Sequence, residues 1–225
     1  MATAEKATKD DKSSKTLAKK TARASGTKST AANAETRKKR AQAVATKSAS
    51  RRVARASARD DKSLSDLFEH ALGDIYYAEK KIYKSLPKMI KAADHPELVQ
   101  ALTSHREETA GQIEKLEAIF ELLGKRAKAE KCDAIDGILE ESESLLEDFG
   151  SSVAADAAII FSCQAIEHYE ITRYGSMSAF ADALGMDEAK KHIDEILAQE
   201  KAADTSLTEL AEDSVNAAAA EYDDE

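Results

Sequence analysis

Four stretches of apolar residues at helical spacing lie between residues 64 and 215, and each is interrupted on its apolar face by side chains that ordinarily avoid a core. The interruptions are Glu79 in the first stretch, His105 with Glu108 in the second, Glu167 with Glu170 in the third, and Glu200 with Asp204 in the fourth. Burying an unpaired carboxylate costs far more than burying an apolar side chain gains. Such groups therefore persist inside a protein only when paired or metal-bound. Carboxylates and one imidazole converging inside a helix bundle form a typical ligand set for two iron or two manganese ions.

Local signals agree with helices throughout. The chain has only 2 prolines and 8 glycines, and no alternating apolar pattern of useful length. The spacing predicts a first helix over 64–93, capped by Ser63 or Ser65 and kinked in its last turn by Pro87. A second is expected over 95–124, opened by an Asp94–Glu97 capping box with Pro96 in the first turn and stopped at Gly124. Asp133 is a candidate cap for a shorter helix over 134–149. After Gly150-Ser151-Ser152 a third long helix is expected over 153–174, interrupted at Gly175-Ser176 before a further stretch over 177–184 and a stop at Gly185. The fourth spans 187–215. The expected fold is all-α: two antiparallel pairs joined by a crossover helix, a four-helix bundle of ferritin-like topology over 63–215, followed by an acidic tail over 216–225.

Two tests bear on whether the polar interruptions form one site. The first is direction. Glu79 follows Ile75 by four residues, His105 follows Ala101 by four, Glu167 follows Cys163 by four and Glu200 follows Ile196 by four, while Glu108, Glu170 and Asp204 lie three or four residues further on. This spacing aims all seven side chains inward. The second is level. Glu79 lies 15 residues before the turn near Asp94, and Glu200 lies 15 after the turn near Gly185. At roughly 1.5 Å rise per residue, all seven sit ~17–28 Å from their own turn. A lone glutamate is more often a boundary residue reaching water or a lysine, but seven on four matched stripes favour one centre. Tyr76, Tyr77, Tyr169 and Tyr174 fall near it, as radical or hydrogen-bonding partners or as packing. His168, about 100° around the helix from Glu167, suits a supporting or inter-helix role.

Charge divides the chain. Residues 1–62 carry 18 Lys/Arg against 6 Asp/Glu, a net of +12, and the remainder carries −21. The first segment has no aromatic residue and cannot bury enough apolar surface to offset chain entropy, so it is expected to be a disordered basic tail. Its clusters at Lys19-Lys20, Arg37-Lys38-Lys39-Arg40 and Arg51-Arg52 could neutralise phosphates, giving non-specific, salt-sensitive DNA binding. A solvated extension and an arm folded against the acidic body are the competing readings. No apolar run is long enough to span a membrane, and no hydrophobic stretch suggests a secretory signal. The two cysteines, Cys132 and Cys163, do not imply a disulfide framework, and a cytoplasmic setting, with nucleoid association through the tail, is expected.

The segments LFEHALGDIYYAEKKI, HREETAGQIEKLE, AIEHYEITRYG and EKAADTSLTELA resemble the YciE/YciF family of bacterial stress-associated, ferritin-like proteins, over about residues 64–212. The resemblance implies a ferritin-like bundle forming a homodimer, with a two-metal centre. Its candidate metal residues are Glu79, His105, Glu108, Glu167, Glu170, Glu200 and Asp204. The sequence departs from the broader pattern of Glu-x-x-His on two helices. His105-x-x-Glu108 reverses the order, and Glu200 is followed three residues on by Ala203, leaving Asp204 to substitute. Six carboxylates and one imidazole make a hard donor set that favours two Fe or Mn ions over zinc. The expected function is a stress-response metal protein, with Fe(II) oxidation by O₂ or peroxide as its chemistry if it turns over at all. A DNA-binding nucleoid protein and a metal-free helical scaffold are the alternatives.

Overall fold

Ser63 opens helix α1 (Leu64–Ala92) with a capping box: its hydroxyl accepts from the Asp66 N–H at 3.1 Å, and the Asp66 carboxylate accepts from the Ser63 N–H at 2.6 Å. The chain continues as α2 (Pro96–Leu122), α3 (Asp133–Phe149), α4 (Ala155–Leu184) and α5 (Asp187–Leu210), then a π-helical turn (Ala211–Val215) and α6 (Asn216–Glu221). These elements come from a computed structural model, which describes residues 61–221 and Lys39. The expectations for the basic tail, apart from Lys39 and residues 61–62, and for residues 222–225 lie outside the described residues. Where the acidic tail was expected to begin, Asn216–Glu221 is helical. No strand occurs among the described residues, and no helix there is long and apolar enough to cross a membrane.

Three local expectations are corrected. The Asp94–Glu97 box does not form. His95 is the N-cap of α2 with no side-chain cap of its own, and Asp156 on α4 accepts from the backbone N–H of both Asp94 and His95 at 2.9 Å. Asp133 is likewise not a cap but the first residue of α3, following the N-cap Cys132. Gly175-Ser176 does not interrupt α4, because Tyr174, Met177, Ser178 and Ala181 continue its buried face. A mid-helix glycine costs ~1 kcal/mol relative to alanine, less than one buried large side chain contributes. The predicted stops at Gly124 and Gly185 hold. Both glycines adopt left-handed φ, at 66° and 69°, and the following N–H groups of Lys125 and Met186 return to Phe120 and Ala181 at 2.9 Å.

Helix directions follow from contacts at the two ends. α1 and α2 form an antiparallel pair about residues 93–95, and α4 and α5 another about Gly185. α3 climbs alongside α1, with Lys81 against Asp136 near its start at 3.2 Å and Lys88 against Glu143 further along at 3.8 Å. It thereby delivers the start of α4 to the α1–α2 turn, where Asp156 caps that turn. The four long helices form a ring in the order α1–α2–α5–α4, with α3 packed outside on α4 and α1. This is a ferritin-like four-helix bundle with one long crossover. The two hairpin turns lie at opposite ends, so only residues near mid-helix can share a level, and the polar interruptions are all mid-helix. Above and below them the core is apolar, with Phe68, Leu72, Ile75 and Ile119 towards one end and Leu86, Leu98, Leu102 and Ile159 towards the other.

Candidate metal centre

Each helix of the ring delivers at least one polar side chain to the middle of the bundle: Glu79 from α1, His105 from α2, Glu167 and Glu170 from α4, and Glu200 from α5. All five are buried. Ligand atoms of His105, Glu167, Glu170 and Glu200 lie within 4.8 Å of one another. His105 Nε2 is 3.4 Å from Glu167 Oε1. Glu79 lies within hydrogen-bonding reach of Glu170, and Glu167 of Glu200. Two neutral donors hold the cluster in place. The Tyr174 hydroxyl donates to Glu79 Oε1, and the Gln112 amide donates to Glu200 Oε1.

Burial dominates the electrostatics. Desolvation, then the neighbouring Glu200, pushes the Glu79 carboxyl up to about 8, and desolvation pushes Glu200 up to about 7. Glu167 and Glu170 are raised well above the usual carboxylate range, first by desolvation; Glu200 and Glu79 add to the shift of Glu167, and Glu79, Glu200 and Glu167 to that of Glu170. Burial lowers His105 to about 4, so it is neutral at pH 7 and able to ligate. Cations fit this centre. Glu79 Oε2, Glu167 Oε2, Glu170 Oε1, Glu200 Oε2, His105 Nδ1 and Gln112 Oε1 are buried without a hydrogen-bond partner. Among the described residues no lysine or arginine is buried to neutralise four carboxylates. The donors are carboxylate oxygens and one imidazole, suited to hard divalent ions.

Two of the seven candidates stand apart from the buried five. Glu108 is exposed, its carboxylate 4.0 Å from His105 Nδ1. Asp204 is half-buried in the α4–α5 groove, 3.2 Å from His168 Nε2, and accepts from Gln164 at 3.3 Å. A step of three or four residues turns a side chain about 40–60° off the stripe axis, enough to put these two on its flanks. Both remain close enough to act through charge: Asp204 helps to raise Glu167, and Glu108 helps to raise Glu200. His168 is an exposed inter-helix partner. Of the four tyrosines, only Tyr174 touches a centre carboxylate. Tyr76 donates to Glu117, Tyr77 to Asp136, and Tyr169 meets Cys132 and Asp74. Sequence reasoning missed Gln112, although its position four before Leu116 marks a further polar interruption of the same stripe. Both cysteines are free and buried.

Comparison with known proteins agrees with the fold. The family described as a domain of unknown function (DUF892) matches residues 63–220. Protein YciF of Escherichia coli K12 is 40% identical over 156 residues, covering 69% of this chain and 94% of the relative. Among solved structures, the E. coli stress protein YciF superposes with a TM-score of 0.66 at 39% identity, covering 69% of this chain and 99% of that one. YcfI from Rhodopseudomonas palustris, described as a candidate structural protein, gives a TM-score of 0.65 at 45% identity, covering 67% of this chain and 96% of that one. The matched segment contains α1 to α5 and every residue of the centre; the chain belongs to the DUF892 family, with YciF among its relatives.

Proposed function

We propose that this protein holds two iron or manganese ions in the carboxylate centre and serves in the response to oxidative or general stress. One observation carries the metal reading: four carboxylates buried at one level, each with a free oxygen, beside a neutral imidazole and with no buried basic side chain among the described residues. Protonation would neutralise the cluster only at a cost that grows with pH, whereas cations would balance its charge and engage the free oxygens. The stress role is supported by the likeness to a relative described as a stress protein.

Bound there, iron or manganese would supply redox chemistry towards dioxygen or peroxide. The chain's own contribution is to place Glu79, His105, Glu167, Glu170 and Glu200 as ligands from four helices and to keep bulk water out. Tyr174 and Gln112 each occupy one oxygen of a ligand and fix its orientation, the usual work of a supporting hydrogen bond. Elemental analysis after aerobic loading should find about two ions per chain. Glu79→Ala and Glu167→Ala should lose metal while retaining helicity; unchanged metal content in both variants would refute the assignment.

The net +12 of residues 1–62 supports a second, separate proposal, that this segment binds DNA without sequence preference. The full chain should retard duplex DNA at about 50 mM salt and the chain lacking residues 1–60 should not. Absence of retardation by the full chain refutes it.

A further inference from the structure

The five buried residues of the centre are not equally closed to solvent. Glu79 and Glu200 are 0% exposed, Glu170 1%, Glu167 2% and His105 8%. The side bearing His105 is therefore the open one. A cavity of about 280 Å³ lies there, in the gap between α2 and α5. Ser104 on α2 and Ala203 and Ser206 on α5 are among its walls, and His105 and Glu167 are at its inner end. Both inner residues carry a buried, unpartnered polar atom, His105 Nδ1 and Glu167 Oε2. Glu108 lines the outer part, its side chain 43% exposed and 4.0 Å from that same Nδ1.

We propose that this cavity is the loading port of the carboxylate centre, through which divalent cations and small oxidants reach it, with Glu108 as the first carboxylate an incoming cation meets. The cation part rests on the reading of the centre given above. Small wall residues leave open the space that a leucine pair would fill, and close-packed interiors otherwise give no passage without separating helices. At ~30 Å³ per water, the volume holds about nine waters. That admits a partly hydrated ion or a peroxide. Glu108 has one end in solvent and the other beside the centre. Among the described residues no lysine or arginine lies within ion-pair distance of it to compete with an arriving cation.

The test uses the full chain in two arms. In the first, metal-free protein is treated with diethyl pyrocarbonate, and modification of His105 is read by peptide mass spectrometry against exposed His70. Ala203→Leu and Ser104→Leu fill the port from opposite walls. Either should slow modification of His105 about tenfold, because access then waits on local opening, while His70 reacts at the wild-type rate. In the second arm, Co(II) uptake is followed by stopped-flow absorbance. Both wall variants should load about tenfold more slowly to the wild-type stoichiometry. Glu108→Gln should load about tenfold more slowly and with a weaker dependence on ionic strength. Unchanged modification of His105 in both wall variants, with helicity retained, overturns the port. Loss of bound Co(II) in Glu108→Gln makes Glu108 a resident ligand and overturns its place at the mouth. A wild-type protein that takes up no Co(II), while the wall variants still protect His105, supports the port and overturns the cation reading.

Discussion

Replacing Glu79 by glutamine should stabilise the metal-free protein and destabilise the metal-loaded one, and this inversion follows from how the carboxyl is buried. Glu79 has its carboxyl pushed up to about 8 from an ordinary 4.5, first by desolvation and then by Glu200. A carboxyl raised in the fold is favoured neutral. Its stability is complete below the unfolded value and is lost as pH rises through the folded one. At ~1.4 kcal/mol for each tenfold change in proton affinity, the interval from 4.5 to about 8 corresponds to about 5 kcal/mol. Glu170 and Glu200 share the protons of the cluster, so removing one acid recovers only part of this, about 2–3 kcal/mol. Glutamine is near-isosteric, and its amide oxygen can still accept from Tyr174. In EDTA at about pH 8.5 the variant should melt about 5–10 °C above wild type, the gap closing by about pH 5. With Mn(II) at about 1,000 times Kd, wild type gains ~4.1 kcal/mol that the variant forgoes, and the order reverses. Thermal unfolding by far-UV circular dichroism reads both. A metal-free wild type whose Tm is flat from about pH 5 to 8.5, or a variant less stable than wild type there, would refute the reasoning.

Other perturbations separate the supporting groups from the ligands. Gln112→Leu should weaken Mn(II) binding about tenfold or more by freeing Glu200 to rotate, as competition titration would show; unaltered affinity would make Gln112 a packing residue. Tyr174→Phe should cost the metal-free protein about 1 kcal/mol in urea unfolding, and a change well below that would mean that the Glu79 contact contributes nothing. Asp156→Ala removes the acceptor for two backbone N–H groups at the α1–α2 turn and should cost about 1–2 kcal/mol without altering metal content. Full metal retention at a pH of about 4 would contradict the centre, because carboxylates of raised proton affinity must surrender their metal as the solution acidifies.

The helices and the level of the site were legible in the sequence because both depend on spacing along a single chain. Ile75, Glu79 and Ile82 share one face of α1 by helical geometry, and nothing elsewhere in the protein alters that. Direction is a coarser signal at the flanks of a stripe. Glu108 and Asp204 have periodicity close to that of the buried residues, yet a rotation of about 40–60° off the stripe axis lets Glu108 reach water and Asp204 meet His168. The capping of α2 was not legible at all. The acceptor for Asp94 and His95 is Asp156, 61 residues or more away, and no local pattern announces it. Gly175-Ser176 fails in the opposite direction: the local signal for a break is real, but the buried face from Tyr174 to Ala181 outweighs it.

The buried carboxylates share one arrangement. Glu79 offers one oxygen to Tyr174, Glu200 one to Gln112, Glu167 sets one beside His105 Nε2, and Glu170 lies in hydrogen-bonding reach of Glu79. One oxygen of each is buried without a partner: Oε2 of Glu79, Glu167 and Glu200, and Oε1 of Glu170. One engaged oxygen fixes a carboxylate's orientation; one free oxygen presents an acceptor that no side chain answers. The neutral character of both donors matters as well. A lysine in place of Gln112 would supply a fixed positive charge, whereas an amide and a phenol orient the carboxyls without adding one. The centre thus has oriented carboxyls with unanswered oxygens, an arrangement that costs stability in the metal-free chain and that cations, bound as proposed, would offset.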